Sequence, residues 1–246
     1  VRFFWAVTQA LLGRLDALGA RLPDLVRNAR ERGDIFSLVN LRSGFPNLLW
    51  LARGDLPRAR REAAEAMRDW PQSGFHVQHF CDLYARVGHE LYAGEAEQAL
   101  AVTRAHWRDY ERSLLSRIQF IRATCVDLRA RAFLAAATAR SWRRAARLRE
   151  VRRAAKALRA EGVEWARAMA AALDAGATRL RDPAAAVSLY AEAAASFERA
   201  RLPVHALVAR RAAALAGGRD PSPHEDGLRA LGVTEPAAYC RMLAPE

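Results

Sequence analysis

The sequence predicts an all-α chain, a right-handed α-solenoid built as a stack of about six antiparallel helix pairs of about forty residues each. Three observations predict it. Apolar residues recur at helical spacing through segment after segment, and no alternating β-branched run bounded by turn residues offers a source for a sheet. Within residues 54–71, GDLPRARREAAEAMRDWP, Ala59, Ala63 and Ala66 fall on one helix face between a capping Asp55 with Pro57 in the first turn and a terminating Pro71. A shift of forty residues then recovers the turn, the stripe and the terminal aromatic together: Gly54, Asp55, Ala59, Arg68, Asp69 and Trp70 return as Gly94, Glu95, Ala99, Arg108, Asp109 and Tyr110.

The spacing Ala-x3-small-x2-Ala-x4-Pro is that of the second helix of a tetratricopeptide-type (TPR-like) unit, in which small residues let two helices approach closely. Taken in order, residues 2–18 and 22–32 read as a first pair, with Phe3, Val7, Leu11, Leu15 and Leu18 as the apolar stripe and Leu22-Pro23-Asp24 as the turn. Gly33-Asp34 starts a helix from Ile35 to about Ala52. Gly44 and Pro46 inside it predict a kink or a break, which would turn Asn40 and Asn47 toward one groove. The helix 57–70 follows, then 75–93 with its partner 95–110. Residues 114–139 carry Ile118, Ile121, Cys125, Leu128 and Ala132 on one face. Ser141 is placed to cap 142–160, whose stripe is Trp142, Ala145, Leu148, Val151, Ala155 and Leu158, with Gly162 ending it. Residues 163–180 and 183–201 repeat the plan, Ala186, Tyr190 and Ala193 copying the earlier small-residue spacing. One more helix over 204–216 completes an array spanning residues 1–216. The stretch GGRDPSP, 217–223, reads as a flexible linker, and two short helices near 224–231 and 235–243, within 224–246, as caps on the open end of the stack.

With 246 residues the chain can bury a full core. Of its 39 Lys and Arg residues only Lys156 is a lysine, which, beside so much Ala, matches the codon usage of a GC-rich bacterial genome. The net charge of +12 therefore argues only weakly for nucleic acid, because no nucleic-acid-reading motif accompanies it. Cys81, Cys125 and Cys240 are odd in number, widely spaced and never in a CxxC pair, which points to a reducing, cytoplasmic setting. No apolar run reaches the roughly 18 residues of a membrane helix, so no membrane partner is expected. Beginning at Val1 in mid-pattern, the chain reads as a piece of something longer.

Three stretches together carry a family likeness: RGDIFSLVNLRSGFPNLLWLARGD (32–55), GFHVQH (74–79) and LGVTEPAAYCRMLAPE (231–246). They resemble the C-terminal tetratricopeptide-like region of large bacterial serine/threonine protein kinases, over most of the chain from residue 20 onward. More distantly, the layout is similar to the repeat arrays of large bacterial ATPase-type transcriptional regulators. The resemblance implies a regulatory array that binds a protein, a peptide or an effector and controls an attached output domain, the attached kinase domain being one candidate partner. None of the kinase signatures is present in the sequence: no Gly-rich nucleotide loop, no His-Arg-Asp, no Asp-Phe-Gly. No catalytic residue is carried over, and no enzyme activity or cofactor is expected of this segment.

Three sets of residues compete as sites. His76, His79, Cys81 and His89 are the only cluster of metal-type ligands, but only His76 and His79 share a helix face, too few for zinc, so no metal is expected and the pair reads as polar lining or an internal hydrogen-bonded set. First helices of such stacks line the concave surface, which makes Asn40 and Asn47, then His76, His79 and Arg86, then Gln119 and Arg122, successive rows of a peptide groove. Hydrogen bonds between units explain the same residues nearly as well. Finally, Arg143, Arg144, Arg147, Arg152 and Arg153 make the helix 142–160 a basic strip. Such a run is first of all a solvated face, and otherwise a docking strip for an acidic partner or the parent chain's other domain. A nucleic-acid-binding helical repeat is the rival reading, with a small-molecule sensor behind it.

Overall fold

Aspartate caps and glycine stops set the helix boundaries. The computed structural model describes residues 2–68, 70–71, 73–139 and 141–245, the side chain of Ser141 excepted. Asp34, Asp55 and Asp182 each accept a hydrogen bond from the backbone N–H three residues on, at 2.9, 3.0 and 2.9 Å, and so satisfy a donor with no partner inside the helix. At the other ends, Gly54 and Gly94 are left-handed, and each closes its helix with paired bonds, Gly54 N–H to Leu51 O and Asp55 N–H to Trp50 O, Gly94 N–H to Leu91 O and Glu95 N–H to Glu90 O. The forty-residue echo in the sequence is therefore the same helix-stop geometry made twice. Asp69, part of that echo, lies outside the described residues.

Helix, the 3-10 turns included, accounts for 82% of the described residues, with no strand among them. The helices are α1 (Arg2–Leu11), α2 (Leu15–Glu31), α3 (Ile35–Arg42), α4 (Leu48–Ala52), α5 (Leu56–Met67), α6 (Val77–Ala93) and α7 (Ala96–Arg112). They continue with α8 (Gln119–Ala139), α9 (Arg144–Ala160), α10 (Glu164–Arg179), α11 (Pro183–Arg199), α12 (Pro203–Ala216), α13 (Ser222–Ala230) and α14 (Pro236–Leu243). From α5 to α12 each helix packs on the next across a short connection, which runs neighbours antiparallel, and α6, α8 and α10 also touch in sequence as a continuous row. The small-residue stripes face these contacts: Ala59, Ala63, Ala99, Ala186 and Ala193 are buried. No helix of the described residues is long and apolar enough to cross a membrane.

Several boundaries differ from the sequence expectation. The first turn falls at Leu12-Gly13-Arg14, and Leu22-Pro23-Asp24 lies inside α2. Gly13 takes φ +68° and sits so close to α12 that a Cβ there would come within 2.6 Å of the Val204 side chain. Pro23 lies on the exposed side of α2. The expected helix 35–52 breaks: Ser43 is extended, Gly44 has φ 59° and ψ −146°, and Phe45–Asn47 form a 3-10 turn before α4. Here the geometry demands glycine, since a Cβ would meet the Cys81 sulfur at 2.9 Å while the Gly44 N–H donates to Cys81 O at 3.0 Å. Residues 114–117 form a separate 3-10 turn ahead of α8, which leaves Ile118 exposed instead of on the buried face. Trp142 and Ala145 are exposed too, so the buried stripe of α9 begins at Leu148. The expected cap on α9, Ser141, has its side chain outside the described set.

The C-terminal segment departs most. Gly217 and Gly218 do not open a linker; Gly218 N–H to Leu215 O and Arg219 N–H to Ala214 O close α12 in the left-handed glycine geometry already seen at Gly54. Ser222 starts α13 at once, against α12. Instead of capping the far end, α14 runs back onto α6 and α4. Thr234 N–H donates to Ala52 O at 2.7 Å, Arg241 Nη2 to Tyr92 O at 2.9 Å and Arg131 Nη1 to Met242 O at 2.9 Å. Tyr239, Cys240 and Met242 are buried in the same core as Phe45, Tyr84 and Leu128. Apolar surface at both ends of the chain thus shares one core.

Candidate functional site

Helix α8 has neighbours on most sides, α6, α7, α9 and α10, so even its polar residues point inward. Asp127 and Arg131, one turn apart, are both buried and pair at 2.8 Å. Arg131 also donates to Met242 O and stands beside the Tyr84 hydroxyl. Burial holds the Asp127 carboxyl above its ordinary range, against the pull of Arg131. From α12, whose first residue Pro203 presets the helical φ, His205 reaches the same place. Burial, with a smaller push from Arg131, lowers His205 to about 4, so its ring is neutral near pH 7, and its Nδ1 is enclosed without a hydrogen-bond partner.

These groups border a cavity of about 200 Å³ between α1, α6, α8, α10 and α12. An aromatic row forms one wall: Phe45 lies 4.3 Å from Tyr84 and 5.6 Å from Phe120, which in turn lies 5.9 Å from Trp165, centroid to centroid. Phe120 is exposed while Phe45 and Tyr84 are buried, so the mouth is at the Phe120 end. A second void of about 20 Å³, room for about one water, shares Asp127, Arg131, Met169 and His205.

The expected groove residues do not line this space. Asn40 is fully buried, both its amide atoms unpartnered. Asn47 is an internal clamp: its Nδ2 donates to Arg42 O at 2.8 Å and Ala59 O at 3.0 Å, and its Oδ1 meets His89 Nε2 at 2.8 Å. The break at Gly44 thus turns Asn47 into the core and not toward a groove. His79 is buried and accepts the His76 N–H at 3.0 Å through Nδ1, capping α6, while the His76 ring is exposed. His79 thus takes part in an internal hydrogen bond within one turn. Arg86 is exposed beside Asp82, 3.5 Å away. Arg122 grips both Glu161 oxygens at 2.7 Å, and Gln119 donates to Glu161 O at 2.9 Å, so this pair staples α8 to the end of α9. Among the described residues no three His, Cys, Asp or Glu side chains converge as a metal site.

The basic strip divides. Arg147 is buried, bonding Ala136 O and, at 2.6 Å, Glu97. Arg144 donates to Ala137 O at 3.0 Å, so both hold the end of α8 and are structural. Arg143 lies over the exposed Trp142 ring at 4.2 Å, Arg153 pairs with Glu150, and Arg152 is exposed. The cavity residues escape the sequence reading because α8 is buried on more than its one apolar stripe. The available signal was Asp127-x3-Arg131, a pairing-distance couple inside an apolar helix. In comparisons with known proteins, no family model, curated protein or solved structure matches the chain.

Proposed function

We propose that this chain is a non-catalytic regulatory interaction array, a right-handed TPR-like solenoid that recognises a peptide on its inner face and serves the output domain of a larger protein of the bacterial serine/threonine kinase type. One observation supports the reading. The chain's own residues 233–245 lie against α4, α6 and α8 as a peptide would, through bonds to backbone carbonyls (Arg131 to Met242, Thr234 to Ala52, Arg241 to Tyr92) and through buried Tyr239 and Met242. Main-chain contacts with side-chain anchors are how helical and extended peptides are generally held. A segment held this way is a natural object of exchange with a partner or with the attached domain.

The test has two steps. The open reading frame that encodes the chain is read for a kinase domain with Gly-rich, His-Arg-Asp and Asp-Phe-Gly motifs. Phosphotransfer by the full protein is then compared with that of a Tyr239→Ala variant, whose loosened C-terminal segment is verified by limited proteolysis. A frame without those motifs removes the kinase attachment, and unchanged phosphotransfer in the loosened variant removes the regulatory role.

The exposed face of α9 favours a second reading, docking of an acidic partner or nucleic acid. Arg149, Arg152 and Lys156 are exposed there, and among the described residues none of them makes an ion pair. Substituting these three with Gln and measuring duplex DNA binding at two salt concentrations separates the readings. Phosphate contacts give a steep salt slope that the variant flattens.

A further inference from the structure

We propose that the cleft between α7, α8 and α9 binds a small organic monocarboxylate whose apolar body is about one ring in size. The site involves neither the C-terminal segment nor Arg149, Arg152 and Lys156, so it holds independently of both functional readings.

Arg129 of α8 carries the inference. Its Cζ lies 4.2 Å from the centre of the Trp107 ring and 5.4 Å from that of Phe133. Stacking on aromatic faces fixes the plane of the guanidinium and leaves its N–H edge free. Among the described residues Arg129 makes no hydrogen bond or ion pair, yet none of its nitrogens is enclosed, so all of them are open to solvent where the residue lines the cleft. The two nearest carboxylates are engaged elsewhere. Glu111 accepts the Trp107 Nε1–H at 2.6 Å, and Glu150 pairs with Arg153 at 2.7 Å. Burial holds Arg129 below its ordinary pKa, against the pull of Glu150 and Glu111 and with Arg104 adding to the shift. A half-buried cation in this state gains from an anion that reaches its N–H edge.

The rest of the cleft sets the body of the ligand. Val126, Ala130, Phe133 and Ala154 line a space of about 200 Å³ beside Arg129. A cavity of about 150 Å³ holds benzene, so a single ring fits here. One guanidinium edge matches the two oxygens of one carboxylate. A phosphate dianion would ask for further donors, and the other cation of the lining, Arg153, is already paired.

The experiment uses the purified chain and three probes: benzoate, its neutral counterpart benzamide, and inorganic phosphate. Binding is followed by ligand-observed NMR and by shifts of the Trp107 indole signal. Saturable binding of benzoate is expected, with benzamide about tenfold weaker because it forms no charge-assisted pair, and phosphate weaker still. Arg129→Gln should bring benzoate and benzamide to within about twofold of each other. Ala154→Leu, in the apolar wall, should weaken both, and changing Arg149, Arg152 and Lys156 together to Gln should leave benzoate binding within about twofold. Helical circular dichroism checks each variant. Absence of saturable benzoate binding to the unaltered chain overturns the proposal, as does equal affinity for benzoate and benzamide, or phosphate binding as tight as benzoate; none of these needs a variant. A folded Arg129→Gln chain that keeps the benzoate preference also overturns it, and so does a folded Ala154→Leu chain with unchanged affinities. Loss of benzoate binding in the triple variant would place the anion on the exposed face of α9 and overturn it too.

Discussion

Buried polar side chains hold this molecule at points where two elements meet. His89 is the clearest: burial, with Arg60 and Arg86 near it, lowers it from 6.5 to about 4, and as a neutral ring it donates to Asn47 Oδ1. Because the folded value lies below the unfolded one, its contribution to stability is whole above pH 6.5 and is lost as pH falls toward 4. Passing through the whole of that window should cost about 3 kcal/mol. Urea denaturation at pH 7 and pH 5 should therefore show a lower midpoint at pH 5, and His89→Gln should shrink the difference. An unaltered difference in that variant would place the pH dependence elsewhere. Arg147 gives a second contrast. Arg147→Gln removes bonds to Ala136 O and Glu97 and should destabilise by about 1–3 kcal/mol, whereas Arg152→Gln on the exposed face should stay within about 0.5 kcal/mol. Equal denaturation midpoints for the two variants would contradict the division of the basic strip.

At the scale of elements, small residues set how closely helices approach. Ala63 on α5 and Ala99 on α7 are 1% and 0% exposed, each where its helix meets the preceding or following one. Leucine at either position adds three carbons where no space exists, and should destabilise by about 1–3 kcal/mol as the helices part. Midpoints that do not move would show that the helices can slide apart without loss. The break at Gly44 follows the same logic of contact distance. The chain turns there because the backbone of one element touches Cys81 of another, and only a residue without a Cβ allows it.

For the molecule as a whole, the return of α14 decides which surfaces are free. Tyr239 is 2% exposed and sits in the core that contains Tyr84, Leu128 and Val208. Tyr239→Ala should cost about 3–5 kcal/mol and make the chain cleavable by protease after residue 232 well below its thermal midpoint. If cleavage instead begins near α1 at the same temperature, the C-terminal segment is not the first part to detach. The α6–α8–α10 row, Leu11 and His205 enclose the cavity of about 200 Å³, so its walls come from stretches as far apart as Leu11 and His205, while Leu243, Ala244 and Pro245 of the C-terminal segment line the neighbouring void of about 20 Å³.

Helix class, most boundaries and the small-residue faces were legible in the sequence because each rests on interactions within about four residues: periodic apolar positions, aspartate caps, glycine stops. The shared helix face of His76 and His79 was legible for the same reason, and the bond between them closes within one turn. What only the tertiary structure decided depends on contacts across tens or hundreds of residues. Asn47 turns inward because His89 and Ala59 O are there to receive it. Arg147 leaves the exposed strip because the end of α8 offers a carbonyl, and His205 meets the Asp127–Arg131 pair of α8 because the packing brings the start of α12 beside it. Local periodicity fixes which face of a helix is buried; only packing among all the helices determines what that face is buried against.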